Sequence, residues 1–88
     1  MNEEELYKKI LIVWGEESQL GMLQEECAEL IVAVNKLKRN KPNAADMFCE
    51  ELADVQNMIN QFKPIYPNFE KVRLEKLERI KTLLKLEG

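Results

Sequence analysis

Two acidic clusters set at helical spacing constrain this chain more than any other feature. The first, EECAE, spans residues 25–29 and the second, ELAD, spans residues 51–54, with 21 residues between Glu29 and Glu51. Residues three or four positions apart lie on the same side of a helix, so each cluster directs its acids along one helical face. The fold therefore has to accommodate two groups of like charges.

The second cluster interrupts an apolar face. With helical periodicity, the stretch 47–62 gathers most of its large apolar residues on one broad face. Glu51 falls within this face and Asp54 lies at its edge. The apolar members are Met47, Phe48, Leu52, Val55, Met58, Ile59 and Phe62. Two carboxylates are thus predicted to project from successive turns towards the protein interior.

The first cluster adjoins another apolar face. Within 20–37 the predicted core side consists of Leu20, Leu23, Cys27, Leu30, Ile31, Val34 and Leu37. The run 27–34 is apolar on every side except at Glu29, which predicts a helix covered from more than one direction. We therefore expect Cys27 to pack in the core and Glu29 to be shielded from bulk water.

Shielded acids require compensation. Moving an ionised carboxylate out of water costs on the order of several kcal/mol unless it is paired or bound to a cation, and clustered acids raise one another's pKa values. Mg²⁺ fits best, because it accepts a few carboxylates and completes its shell with water and phosphate oxygens. A buried ion pair with Lys76 or Arg79 is the competing interpretation. The cations nearest the first cluster in sequence lie towards a predicted loop: Lys36, Lys38, Arg39 and Lys41.

Several other kinds of site are excluded by composition. The chain contains no His, which carboxylate-bridged di-iron sites generally need and which Ser-His-Asp triads and Cys-His nucleophiles require. Zinc chemistry is disfavoured for the same reason. The only glycines are at 15, 21 and 88, so no glycine-rich phosphate loop is present.

Length and net charge further limit the kinds of protein that this chain could be. The 88 residues predict a single domain over 1–88. The content of 45% hydrophobic residues is more than one small bundle readily buries, so we expect a homo-oligomer, either a dimer or a tetramer. A net charge of −3 argues against binding a nucleic-acid polymer. The longest apolar run is too short to span a membrane, and the acidic N-terminus is unlike a secretory signal, so we expect a cytoplasmic protein.

Four helices are predicted along the chain. Asn2 caps a first helix that ends near Gly15, and a second runs from about Ser18 to Arg39. Asn43 is the predicted cap of the third helix, and Pro64 and Pro67 bracket the connector to a fourth. The loop 40–43 is short enough to make the second and third helices antiparallel neighbours, with their acids facing one cleft. The predicted fold class is all-α, an antiparallel helical bundle completed by oligomerisation.

The two motifs together resemble the MazG-like all-α nucleoside triphosphate pyrophosphohydrolases, whose signature is Glu-Glu-x-x-Glu followed by Glu-x-x-Asp. Similarity extends to Gln19, to the phrase ELADV at 51–55 and to KLER at 76–79. The resemblance implies an enzyme that hydrolyses the α-β phosphoanhydride bond of a nucleoside triphosphate, giving monophosphate and pyrophosphate. It implies Glu26, Glu29, Glu51 and Asp54 as Mg²⁺ ligands.

Further roles follow as expectations from that resemblance. Glu25 is the candidate catalytic residue, which orients or deprotonates the attacking water, or else is a surface acid. Lys76 and Arg79 are candidate hydrogen-bond donors to the phosphate oxygens, or else solvated charges. Asn57 is a candidate hydrogen-bonding partner of the substrate or of a metal-bound water. Trp14 either stacks on a base or anchors a core or subunit contact.

Substrate identity stays open at this point. The related phosphoribosyl-ATP pyrophosphohydrolases typically carry a Tyr-His pair after Glu-x-x-Asp, where this chain has VQNM at 55–58, which disfavours that substrate. A nucleotide pyrophosphohydrolase that removes particular or non-standard nucleotides is the leading hypothesis. The alternative is a non-catalytic helical interaction protein of the same fold, whose acids form ion pairs or bind a partner's basic surface.

Overall fold

Residues 1–85, which the computed structural model describes, form four α-helices and one short 3₁₀ turn. The helices are α1 (Glu3–Trp14), α2 (Glu16–Lys38), α3 (Ala44–Phe62) and α4 (Asn68–Leu83), and the 3₁₀ turn is Lys63–Ile65. Within this range there is no strand, which confirms the all-α prediction. None of the helices described is long and apolar enough to cross a membrane.

The two ends of α1 follow the predicted local chemistry. The Asn2 side chain accepts a hydrogen bond of 2.8 Å from the Glu5 backbone N–H, which satisfies a donor that the first helical turn leaves free. Gly15 separates α1 from α2 with φ of 89°, a conformation that costs glycine little. Its N–H donates to the Leu11 carbonyl at 3.0 Å. A sharp turn between α1 and α2 results.

Asn43 begins α3 by a different mechanism from the one predicted. Its φ of 60° places it in the left-handed region, and its side chain makes no capping hydrogen bond. Asn tolerates this conformation better than most residues, so it turns the chain instead of capping the helix. Asn40, with φ of 54°, contributes to the same reversal. The predicted position was right and the predicted side-chain role was wrong.

The packing of α2 against α3 is the main tertiary contact. Leu37 lies near Ala44 at the loop end of the pair, and Leu20 lies near Phe62 at the other end, so the two helices are antiparallel as predicted. Helix α1 rests against both. The buried side chains of the described residues belong to this arrangement: Gln19, Ala33, Ala44, Met58, Gln61 and Phe62.

A tyrosine connects α1 to α3. The Tyr7 hydroxyl donates to Asn57 Oδ1 at 2.8 Å and accepts from Asn60 Nδ2 at 3.3 Å. Glu3 Oε1 also lies 3.1 Å from the same hydroxyl. These bonds hold α1 on the half of α3 that follows the acidic cluster.

Much of the predicted core face of α2 is exposed. Ile31 is 64% exposed, Leu20 is 42% exposed, and Cys27 is also exposed. The prediction that Cys27 is a core residue is therefore wrong for the single chain. The physical reason is that α1 and α3 cover only part of the circumference of α2.

Helix α4 packs little against the other three helices. None of its residues is buried, and its apolar residues Val72, Leu77 and Ile80 are 42%, 45% and 49% exposed. The radius of gyration of 16.1 Å exceeds the value of about 12 Å expected for a compact chain of this length. The chain by itself thus leaves a large apolar surface in water.

Candidate metal centre

Three acids meet across the groove between α2 and α3. Glu26 on α2 and Glu51 and Asp54 on α3 each place one carboxylate oxygen so that the three oxygens lie within 4.8 Å of one another. Glu51 and Asp54 are one turn apart on the same side of α3, and the antiparallel packing brings Glu26 opposite them. Sequence spacing on one helix and tertiary packing between two helices together create the cluster.

Two of the cluster oxygens lack partners. Oε2 of Glu26 and Oε2 of Glu51 are buried and accept no hydrogen bond. Buried carboxylate oxygens are normally hydrogen-bonded or bound to a cation, since their desolvation is otherwise uncompensated. The cluster therefore has unused capacity to bind a positive charge.

No basic side chain within residues 1–85 fills this role. The ion pairs of the described chain are all short-range pairs on α1 or α4. They are Lys8 with Glu4, Lys71 with Glu75, Arg73 with Glu70, and Lys81 with Glu78. Lys76 and Arg79, the alternative partners considered from sequence, form no ion pair with the cluster in this range.

Electrostatics within the cluster favour protonation when no cation is bound. Burial, with the charges of Asp54, Glu29 and Glu51, raises the pKa of Glu26 from 4.5 to about 7. The pKa of Glu51 is raised as well, first by desolvation and then by the charges of Glu29 and Asp54. The unfavourable energy of bringing the acids together is thus partly relieved by proton uptake.

Glu29 lies at the rim of this cluster. Its side chain is exposed, so the expectation that it is shielded from water is wrong: the helices cover α2 less completely than its apolar run predicted. It is nevertheless close enough to contribute to the raised pKa values of both Glu26 and Glu51. All four predicted ligands thus belong to one electrostatic group.

The other predicted site residues are distributed differently. Glu25 is exposed on α2 beside Glu26. Asn57 lies one turn beyond Asp54, but its Oδ1 accepts the hydrogen bond from Tyr7, a structural role that the sequence pattern did not indicate. Lys76 and Arg79 lie on the outlying α4, and Trp14, at the end of α1, is 64% exposed.

The donor set matches the requirements of Mg²⁺. It offers carboxylate oxygens, which hard divalent cations prefer, and Mg²⁺ commonly uses only a few protein ligands while retaining waters and phosphate oxygens. The exposed Asp54 and Glu29 leave one side of the cluster open to such ligands. The two unpartnered buried oxygens provide the negative charge that a cation would neutralise.

Comparisons with family models, curated proteins and solved structures found no match for this chain. The resemblance to MazG-like enzymes therefore stays a prediction from the EECAE and ELAD motifs. The geometry of the acids is a separate physical argument for a cation site. The convergence of their oxygens depends on helix packing and not on sequence similarity.

The cluster predicts how the stability of the cation-free protein depends on pH. A carboxyl whose pKa is higher in the folded state binds protons preferentially in that state, so its stabilising contribution is present below pH 4.5 and is lost as the pH rises through about 7. In chelator, the free energy of unfolding should therefore fall between about pH 5 and about pH 8. Glu26→Gln should flatten this dependence and be the more stable protein at the upper end.

Urea denaturation at several pH values measures this effect. The matched control is Glu50→Gln, which removes one charge from an exposed position next to Glu51 and should keep the downward slope. An unchanged slope in Glu26→Gln would contradict the assigned electrostatics of the cluster.

Proposed function

We propose that this chain is a Mg²⁺-dependent nucleotide pyrophosphohydrolase that converts a nucleoside triphosphate to the monophosphate and pyrophosphate. The observation that carries the proposal is the convergence of three carboxylate oxygens within 4.8 Å, two of the acids having buried oxygens without partners. The motif pair supports the proposal because it resembles the MazG-like signature. Mg²⁺ and triphosphates commonly act together in such sites.

Glu26, Glu51 and Asp54 would hold Mg²⁺, with Glu29 at the open side. When bound, the metal would supply charge neutralisation for the phosphate oxygens and Lewis-acid activation of water. Because the pKa of Glu26 is raised to about 7, cation binding there would compete with protons and should release them near neutral pH.

Side chains outside the set of metal ligands have further proposed roles. Glu25 is exposed and adjacent in sequence to the proposed ligand Glu26. It would orient a water at the rim of the cluster or accept a proton from that water. Asn57 keeps its amide nitrogen for a substrate hydrogen bond, since only its oxygen accepts from Tyr7. Trp14 lies at the end of α1 and is largely exposed, so a subunit contact is the role that its exposure favours.

The proposal includes a homo-oligomer, as a dimer or tetramer. Helix α4 carries five basic and three acidic residues, a net charge of +2, whereas the rest of the chain has a net charge of −5. Both α4 and α2 carry exposed apolar residues. Burying these residues against a second copy of the chain would remove apolar surface from water, which is favourable. Lys76 and Arg79 would then reach the phosphates of a neighbouring subunit's substrate.

The proposed reaction is tested by pyrophosphate release from a panel of canonical and modified nucleoside triphosphates. Turnover should require Mg²⁺, cease in excess chelator and produce the monophosphate. Glu51→Gln should reduce kcat/KM by at least about a hundredfold, because a ligand and its charge are lost. The exposed control Glu50→Gln should retain most of the activity.

Retained turnover in Glu51→Gln would contradict the ligand assignment. Absence of turnover for every nucleotide, in a protein shown to be folded, would favour the non-catalytic interaction protein.

Sedimentation velocity over a range of concentrations tests the oligomer. We expect a species larger than one chain, and Ile80→Glu should shift it towards the monomer by placing a charge on the apolar face of α4. Glu75→Gln, which alters an exposed acid on the same helix, is the control. A compact monomer at every concentration would contradict the proposed assembly.

A further inference from the structure

A series of side-chain hydrogen bonds joins α1 to α3 on the part of α3 that follows the acids. Gln56 Nε2 donates to Asn60 Oδ1 at 2.9 Å, and Asn60 Nδ2 donates to the Tyr7 hydroxyl at 3.3 Å. The same hydroxyl donates to Asn57 Oδ1 at 2.8 Å. Glu3 Oε1 is a second acceptor for this hydroxyl, but at 3.1 Å it is the more distant of the two. Tyr7 thus contacts two amide side chains that lie one turn apart on α3.

The direction of these bonds decides which end of the Asn57 amide is used. A tyrosine hydroxyl has one proton to donate, and here its oxygen already accepts from Asn60. Its proton therefore goes to an acceptor, and the acceptor atom of an Asn amide is its oxygen. Among residues 1–85 no acceptor is bonded to the Asn57 nitrogen, so both of its N–H donors remain available.

Asn57 lies between Tyr7 and the acids. Along α3, Glu51, Asp54, Asn57 and Asn60 follow one another at intervals of three residues, and side chains at this spacing are neighbours, with Cβ atoms about 5 to 6 Å apart. Tyr7 lies at the Asn60 end of this row, because it bonds both amides, and Asp54 lies on the other side of Asn57. Asp54 and Asn57 are both exposed. With its oxygen turned towards Tyr7, the planar amide of Asn57 keeps its nitrogen away from that hydroxyl.

We infer that Tyr7 is a positioning residue, which holds the Asn57 amide so that its nitrogen donates to the phosphate oxygens of the substrate; the inference rests on the proposed function. A triphosphate bound to a cation at the acids would occupy the side that Asp54 leaves open, and Asn57 is the next side chain along that row. The two ends of an amide have opposite effects on a phosphate, because the nitrogen donates a hydrogen bond and the oxygen repels the anion. By binding the oxygen, Tyr7 selects the favourable orientation before the substrate arrives.

The test compares Tyr7→Phe with Tyr66→Phe, a closely matched control. Each variant removes one hydroxyl that donates at 2.8 Å to a side chain 50 positions away, so both should lower the free energy of unfolding to a similar extent. Only Tyr7→Phe should lower kcat/KM, by about three- to tenfold and mainly through a higher KM, because the donor to the phosphates loses its fixed orientation.

Asn57→Ala provides the second arm of a double-mutant cycle. It should lower kcat/KM by at least about tenfold, because a donor to a charged oxygen is lost. In the Asn57→Ala background, Tyr7→Phe should cause no further fall, since the amide that it orients is absent. An unchanged kcat/KM in Tyr7→Phe, equal losses in the two tyrosine variants, or a further fall in the double variant would overturn the inference and leave the proposed reaction intact.

Hydrolysis of no nucleotide would overturn the proposed function, and NMR would then decide the inference. The side-chain amide resonances of Asn57 are followed during titration with inorganic triphosphate in the presence of Mg²⁺. They should shift in wild type and in Tyr66→Phe, and Tyr7→Phe should need about three- to tenfold more of the anion for the same shift. Absence of a shift in wild type, or the same titration curve in Tyr7→Phe, would overturn the inference.

Discussion

The antiparallel contact between α2 and α3 is the constraint on which the rest of the structure depends. It buries apolar side chains such as Met58 and Phe62, and the same contact brings Glu26 against Glu51 and Asp54. Hydrophobic burial therefore drives the helices together while charge repulsion and desolvation oppose the contact at one point. Proton uptake relieves this conflict in the cation-free chain, and a divalent cation would relieve it more completely.

The same contact forms an aromatic pocket at the end of the helix pair away from the loop 40–43. There the short connector after α3 brings Tyr66 and Phe69 near Leu20, Leu23, Ile59 and Phe62. The hydrogen bond from Tyr7 to Asn57 connects α1 to α3 near the acids. Helix α4 then leaves the body of the chain, so its apolar face stays exposed.

Local sequence chemistry predicted the helices and the acidic group well, because capping, periodicity and i, i+3 spacing are short-range properties. Asn2 and Gly15 act as expected, and Glu51 lies within the contact face of α3. The incorrect predictions concern residues whose exposure depends on how much of α2 the other helices cover. Periodicity assigned Cys27 and Glu29 to protected positions without revealing that only part of α2 is covered. The Tyr7 bonds and the aromatic pocket likewise join residues about 40 to 50 positions apart, which no local pattern records.

Isothermal titration calorimetry with Mg²⁺ tests most directly whether the unpartnered carboxylates form a divalent-cation site. Titration in buffers of different ionisation enthalpy near pH 7 should show binding with proton release, since cation binding displaces protons from Glu26. Both the binding and the proton release should be lost in Glu26→Gln and retained in Glu50→Gln. Unchanged Mg²⁺ affinity in Glu26→Gln, or absence of binding by the folded wild-type protein, would contradict the account.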